Sequence, residues 1–194
     1  MRLPDSEHLT RPWRVHEIAP DFRLEDVWAL PATGGAQEFP RLVSVIAATA
    51  PSTGSSTVAG FLWRARWTLG GLLGLDNAGT GLDGRVASLR ERLPADLRDD
   101  PGPAFAELPF SSVYRAENEW VAETANRTVH ALMHISWVPD GSGGHRGQMA
   151  ALVKPNGILG AGYMAGIDPL RTRVVYPSMM RRIERDWRRS ATPS

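Results

Sequence analysis

His130 and His134 are the residues whose type best suits chemistry, because an imidazole takes up and releases a proton near neutral pH. Their spacing decides what they do together. On a helix, H-x-x-x-H would bring both rings over one metal ion. On a strand the same pair stands roughly 13 Å apart, at about 3.3 Å per residue. The run Thr128 to Val138 alternates like a strand, so no metal site and no cofactor are expected. One face of that strand takes His130, Leu132, His134 and Ser136; the other takes Val129, Ala131, Met133, Ile135 and Trp137. The apolar face is expected to meet a helix. The histidine face, with Glu123 and Gln148 from neighbouring strands, is then expected to face solvent. The inverse arrangement stays open, with both histidines inside a cavity and one acting as general acid or base.

A second constellation gathers Tyr163, Asp168, Arg171 and Tyr176 near the end of the chain. Phenols and a guanidinium there would orient a carbonyl or carboxylate, with Met133, Trp137, Met149 and Met180 as apolar lining. The plainer alternative is that the tyrosines cap the core and Arg171 is solvated. Gly79 to Gly84 fits G-x-G-x-x-G, but it follows a helix rather than a strand and reads as a loop. Asn126-Arg127-Thr128 fits a glycosylation sequon without any sign of secretion. Phe61, Trp63 and Trp67 read as core, and the arginines between 181 and 189 as the solvated side of an amphipathic helix.

Composition narrows the classes. The chain of 194 residues suits one domain, 1–194, with 42% hydrophobic and 22% charged residues. A net charge of +1 favours neither nucleic acid nor an anionic membrane as partner. The absence of cysteine removes disulfides, thiolate metal sites and a cysteine nucleophile, and suits a cytoplasmic protein. Lys154 is the only lysine, so Schiff-base chemistry has one candidate residue. The first residues lack the apolar core of a signal peptide. The most apolar stretch, Thr57 to Leu75, is interrupted by Arg64 and Arg66, which argues against a membrane span.

These side chains have to be positioned by an ordered set of elements. Arg11–Ile18 alternates as a first strand, Phe22–Leu30 reads as a short helix closed by Pro31, and Pro40 opens a helix over Leu42, Val43 and Ile46. A helix over Thr57–Gly74, a glycine-rich loop and a short helix over Arg85–Leu93 follow. Then come five strands with short connections: Phe110–Ala116, Glu119–Asn126, Thr128–Val138, His145–Lys154 and Ile158–Ile167. Such connections force antiparallel neighbours. The last helix is capped by Asp168 and Pro169, carries Tyr176, Met180, Ile183 and Trp187 on one stripe, and is expected to kink at Pro177. The order predicts an α+β helix-grip fold: a curved antiparallel sheet wrapped around a long C-terminal helix, with helices inserted after the first strand.

The runs Asn126 to Met164 and Ile167 to Ile183 resemble a bacterial domain family of unknown function, found alone or fused behind an NAD(P)-binding epimerase-like domain. The resemblance implies a START-like helix-grip fold, shared with polyketide cyclases and plant pathogenesis-related proteins. It carries no reaction with it. Together with the element order, it predicts a protein that binds a small, largely apolar molecule between the sheet and the last helix. Two alternatives stand beside this reading. One is a biosynthetic cyclase, dehydratase or isomerase using His130 or His134 with Tyr163 or Tyr176. The other is a structural or regulatory partner protein, with an exposed sheet face pairing two copies in a homodimer.

Overall fold

The computed structural model describes residues 1–48, 86–106, 108–125, 129–155 and 176–191. Its frame is a six-stranded sheet with the order β1-β2-β6-β5-β4-β3, every neighbouring pair antiparallel. The strands are β1 (Arg2–Leu3), β2 (Arg23–Gly34), β3 (Ser111–Arg115), β4 (Glu119–Ala125), β5 (Val129–Pro139) and β6 (His145–Pro155). The helices are α1 (Ser6–Leu9), α2 (Arg14–Ile18), α3 (Phe39–Ala47) and α4 (Tyr176–Ser190).

The meander from β3 to β6 follows the expected strands to within one or two residues at each end. Its connections are encoded locally. Between β5 and β6, Asp140 Oδ1 accepts the backbone N–H of Ser142 at 2.8 Å and of Gly144 at 3.1 Å. Gly141 and Gly143 take φ of 83° and 94°, the left-handed region that only glycine enters without strain.

Both faces of the sheet are covered. On one side Trp28, Leu30, Trp120, Ile135, Trp137 and Met149 pack against α3 and against Ile183 and Trp187 of α4. On the other side Val113, Val121, Leu132 and Ala150 pack under Val15 and Ile18 of α2 and under Leu89, Leu93 and Leu97. Leu89 and Leu97 belong to short 3-10 turns over Leu89–Arg92 and Ala95–Leu97, and Leu93 is the C-cap of the first. The helical reading of 85–93 thus shrinks to a single 3-10 turn, capped by Ser88, whose hydroxyl accepts the Arg90 N–H at 3.1 Å. The Pro40 helix forms as expected, with Leu42, Val43 and Ile46 all buried. The apolar stripe of α4 also forms, with Tyr176, Ile183 and Trp187 buried and Met180 partly so.

Two further elements differ from expectation. Arg11–Ile18 is not a strand: residues Arg14–Ile18 form α2. Val15 and Ile18, three apart, point together into the core, a spacing that an alternating reading of eight residues cannot tell from a strand. Phe22–Leu30 is not a helix: from Arg23 onward it belongs to β2. A register shift between Leu24 and Asp26 changes the phase of the strand, so Leu24 and Val27 share one face while Trp28 and Leu30 share the other. A bulge of this kind inserts an odd residue and makes a period of two imitate a helical spacing. Pro31 lies within a second shift, between Ala29 and Thr33, where a strand tolerates the missing N–H.

The helix over 57–74, the loop over 74–84, the strand over 158–167 and the cap at Asp168 and Pro169 lie outside the described residues. Pro177 falls in the first turn of α4 as described, where its missing N–H breaks no bond within those residues. No helix among the described residues is long and apolar enough to cross a membrane.

Candidate functional site

The seam between β2 and α4 brings polar groups into an apolar face. Asp26, fully buried on β2, accepts a hydrogen bond from the Tyr176 hydroxyl at 3.2 Å. Trp28, two residues along the same strand, packs edge-on against the Tyr176 ring with centroids 4.9 Å apart. Its buried indole N–H has no protein acceptor among the described residues. One helical turn after Tyr176, Met180 lines a cleft of about 270 Å³ with Met1, Ala29, Leu30, Pro31, Arg181 and Glu184. Trp137 and Met149 lie buried in the same apolar cluster, and Met133 is partly buried against it. The structure therefore gathers Tyr176, Met180, Trp137, Met149 and Met133 on one side of the sheet. Tyr163, Asp168 and Arg171 lie outside the described residues.

A larger hollow, of about 580 Å³, lies by the β3–β4 turn and is lined by Asp100, Arg115, Glu117, Asn118 and His145 among others. Its guanidinium is already committed, because Arg115 Nη2 pairs with Asp100 at 2.8 Å. That leaves this hollow the weaker site for an anion.

The histidines are elsewhere. His130 is 4% exposed and His134 fully buried, so the solvent-facing expectation is wrong. They are also not beneath α4. Ile135 and Trp137 meet the α4 cluster while Leu132 meets the α2 cluster, and alternation sends both histidines to the second side. The cover comes from α2, whose residues alternate like a strand in sequence and so announce no helix over this face. As expected, Glu123 and Gln148 share their face. The acid–base alternative that put a histidine in a cavity beneath α4 does not fit this register.

Each histidine has a buried carboxylate. His130 Nε2 lies 2.9 Å from Glu123 Oε2, which also accepts the Leu89 N–H at 2.9 Å, while Oε1 accepts the Ser88 hydroxyl at 2.5 Å. Burial would raise Glu123, but the bonds from His130, Ser88 and Leu89 hold it below the usual carboxylate range. Glu123 thus pins the 3-10 turn to the sheet. His134 Nε2 lies 2.9 Å from Glu119 Oε2, the same oxygen that accepts Tyr114 Oη at 3.2 Å. Burial acts to raise Glu119 as well, and its donors bring it below the ordinary value. Burial, with Glu119 second, raises the Tyr114 phenol far above its ordinary range, so it stays a neutral donor. Among the described residues no cluster of three His, Cys, Asp or Glu has the geometry to hold a metal ion.

Residues 18–178 match the family described as protein of unknown function, DUF2867. The chain belongs to that family. No curated protein matches it. No solved structure matches it either. The family match takes in the Asp26–Tyr176 pair and both histidine–carboxylate pairs. It begins after α1 and most of α2, so His8 and His16 precede it.

Asp26 and Trp28 are the site residues that sequence reasoning missed. Once the bulge is allowed for, Asp26, Trp28, Leu30 and Ala32 alternate cleanly toward one face. An aspartate in such a series is the signal that was available.

Proposed function

We propose that the protein binds a small, largely apolar molecule carrying one polar group, held in the β2–α4 seam of a START-like, helix-grip domain. The observation that carries this reading is the Asp26–Tyr176 pair, buried against the Trp28 ring, whose N–H has no acceptor among the described residues, on an otherwise apolar face. Ligand sites are mostly apolar with a few convergent polar groups that fix orientation, and this seam has that composition. A hydroxyl on the ligand would donate to the phenol oxygen, a carbonyl or carboxyl oxygen would accept from the indole N–H, and the hydrocarbon would lie along Leu30, Met149 and Met180. A cysteine-free chain suits a cytoplasmic location for such a protein. The enzymatic alternative, acid–base catalysis in the same seam, rests on Tyr176 and Asp26, because both histidines are on the far face.

The test is a thermal-shift screen of small hydrophobic alcohols, ketones and carboxylic acids. A ligand at a hundred times its Kd stabilises the folded state by about 2.7 kcal/mol, a rise in Tm of roughly 5–10 °C for a domain of this size. The expected result is such a shift for one chemical class, lost in Tyr176→Phe and Asp26→Asn. Shifts that persist in both variants would place binding elsewhere and overturn the assignment.

A further inference from the structure

The face of the sheet turned away from α4 carries a line of ionisable side chains running from the interior to the surface. Glu119 Oε2 faces His134 Nε2 at 2.9 Å, His134 Nδ1 faces His8 Nε2 at 3.0 Å, and His8 Nδ1 faces His16 Nε2 at 3.1 Å. His8 and His134 are fully buried and His16 is half-buried. An ionised carboxylate only accepts, so His134 donates through Nε2 to Glu119. Each of the two remaining gaps, His134 to His8 and His8 to His16, holds one proton between two ring nitrogens.

We propose that this row is an acid-operated latch, which holds α1 and α2 against the sheet while His8 and His16 are neutral and releases them when both are protonated. An added proton makes an imidazole a donor at both nitrogens. At His8, which is fully buried, that cation would sit between two other rings without an anion. No carboxylate among the described residues lies within hydrogen-bond distance of His8.

The neighbours leave this unchanged. On α1, Glu7 pairs with Arg146 of β6 at 3.3 Å and with Arg11 at 3.9 Å. On α2, the Arg14 backbone N–H donates to Glu119 Oε1 at 3.0 Å, while its guanidinium pairs with Asp96 at 2.8 Å and Glu17 at 3.3 Å. Tyr114 of β3 donates to Glu119, and Gln148 of β6 donates to the Glu7 carbonyl at 3.3 Å.

Burial first, then His134 and His16, push His8 down to about 2. His16 is also lowered, by burial and then by His134, with Glu119 opposing. In a released segment both return to the ordinary value near 6.5. Docking is therefore fully favoured above that pH and weakens as pH falls below it, because only the released state takes up the protons. The closed state also leaves Ser136 Oγ and Gln148 Oε1 buried without partners among the described residues, groups that water would satisfy on opening. Opening bares Glu119, Ser136 and Gln148, which stand side by side across β4, β5 and β6.

Amide hydrogen exchange on the full chain at pH 7.5 and 5.5, corrected for intrinsic rates, tests the latch. Linkage to two histidines predicts that protection of Leu9, Thr10 and Ala19 falls by up to about a hundredfold, while β5 keeps its protection. His16→Gln, at a half-buried position that tolerates the change, should cut the fall to about tenfold; His8→Gln should do the same if it folds. Equal protection at the two pH values, a loss shared uniformly with β5, or an undiminished response in His16→Gln would each overturn the proposal.

Discussion

Replacing Glu119 with alanine will lower stability at pH 7.5 by about 3–5 kcal/mol, the range found when one partner of a buried charged pair is removed. The size follows from what the carboxylate satisfies. Its two oxygens accept His134 Nε2, the Arg14 backbone N–H and the Tyr114 hydroxyl, all within 3.2 Å and with only 4% of the residue exposed. Alanine leaves three donors buried with no acceptor, and each orphan costs about 1–3 kcal/mol before relaxation. Glutamine keeps the shape and one accepting oxygen, but turns an amide N–H₂ toward groups that themselves donate. Glu119→Gln should therefore fall between the wild type and the alanine variant. Urea unfolding followed by far-ultraviolet circular dichroism measures both. A loss under 1 kcal/mol for the alanine variant would mean that this face is hydrated and the pair exposed.

Trp137→Ala will cost a similar amount, about 3–5 kcal/mol, through loss of buried area and a cavity that the neighbours cannot fill. Trp137 is 2% exposed and stands where three elements meet. Its indole N–H donates to the Gly35 carbonyl at 3.0 Å, its ring stacks at 11° on His145, and it lies 5.9 Å from the Trp187 ring of α4. Trp187 is held from its other side by Arg41, whose guanidinium sits 3.8 Å above the ring and donates to the Trp187 carbonyl at 2.6 Å. Removing Trp137 thus loosens α4 as well as β5. Trp137→Phe keeps much of the area and loses the bond to Gly35, so it should cost about 1–2 kcal/mol, most of it that hydrogen bond and the smaller ring. Denaturation midpoints of the two variants check the ordering; equal losses would show that the hydrogen bond, not packing, dominates.

The parts of this architecture that could be read from sequence are those where one periodicity runs unbroken. β5 alternates over its whole length, and α4 repeats Tyr176, Met180, Ile183 and Trp187 at helical spacing, so both emerge at once. β2 does not, because its bulge near Glu25 shifts the alternation by one residue and disguises the strand as a helix. That one shift conceals Asp26 and Trp28 in the sequence, and with them the polar part of the seam. α2 was lost for a different reason: five residues are too few for two buried positions to distinguish period two from period three. With α2 read as a strand, nothing remained to cover the histidine face. His8 and His16 then stood in segments with no visible relation to His134. A row of bonds joining residues 8, 16, 134 and 119 depends on tertiary placement, and no spacing in the chain announces it.

Native mass spectrometry of the protein purified gently from its own source bears most directly on the proposed function. A single stoichiometric extra mass, released on denaturation and absent from Tyr176→Phe and Asp26→Asn, is the result predicted for a ligand held in the β2–α4 seam. A bare chain that also takes up none of the screened hydrophobic alcohols, ketones or acids in saturable fashion would contradict it.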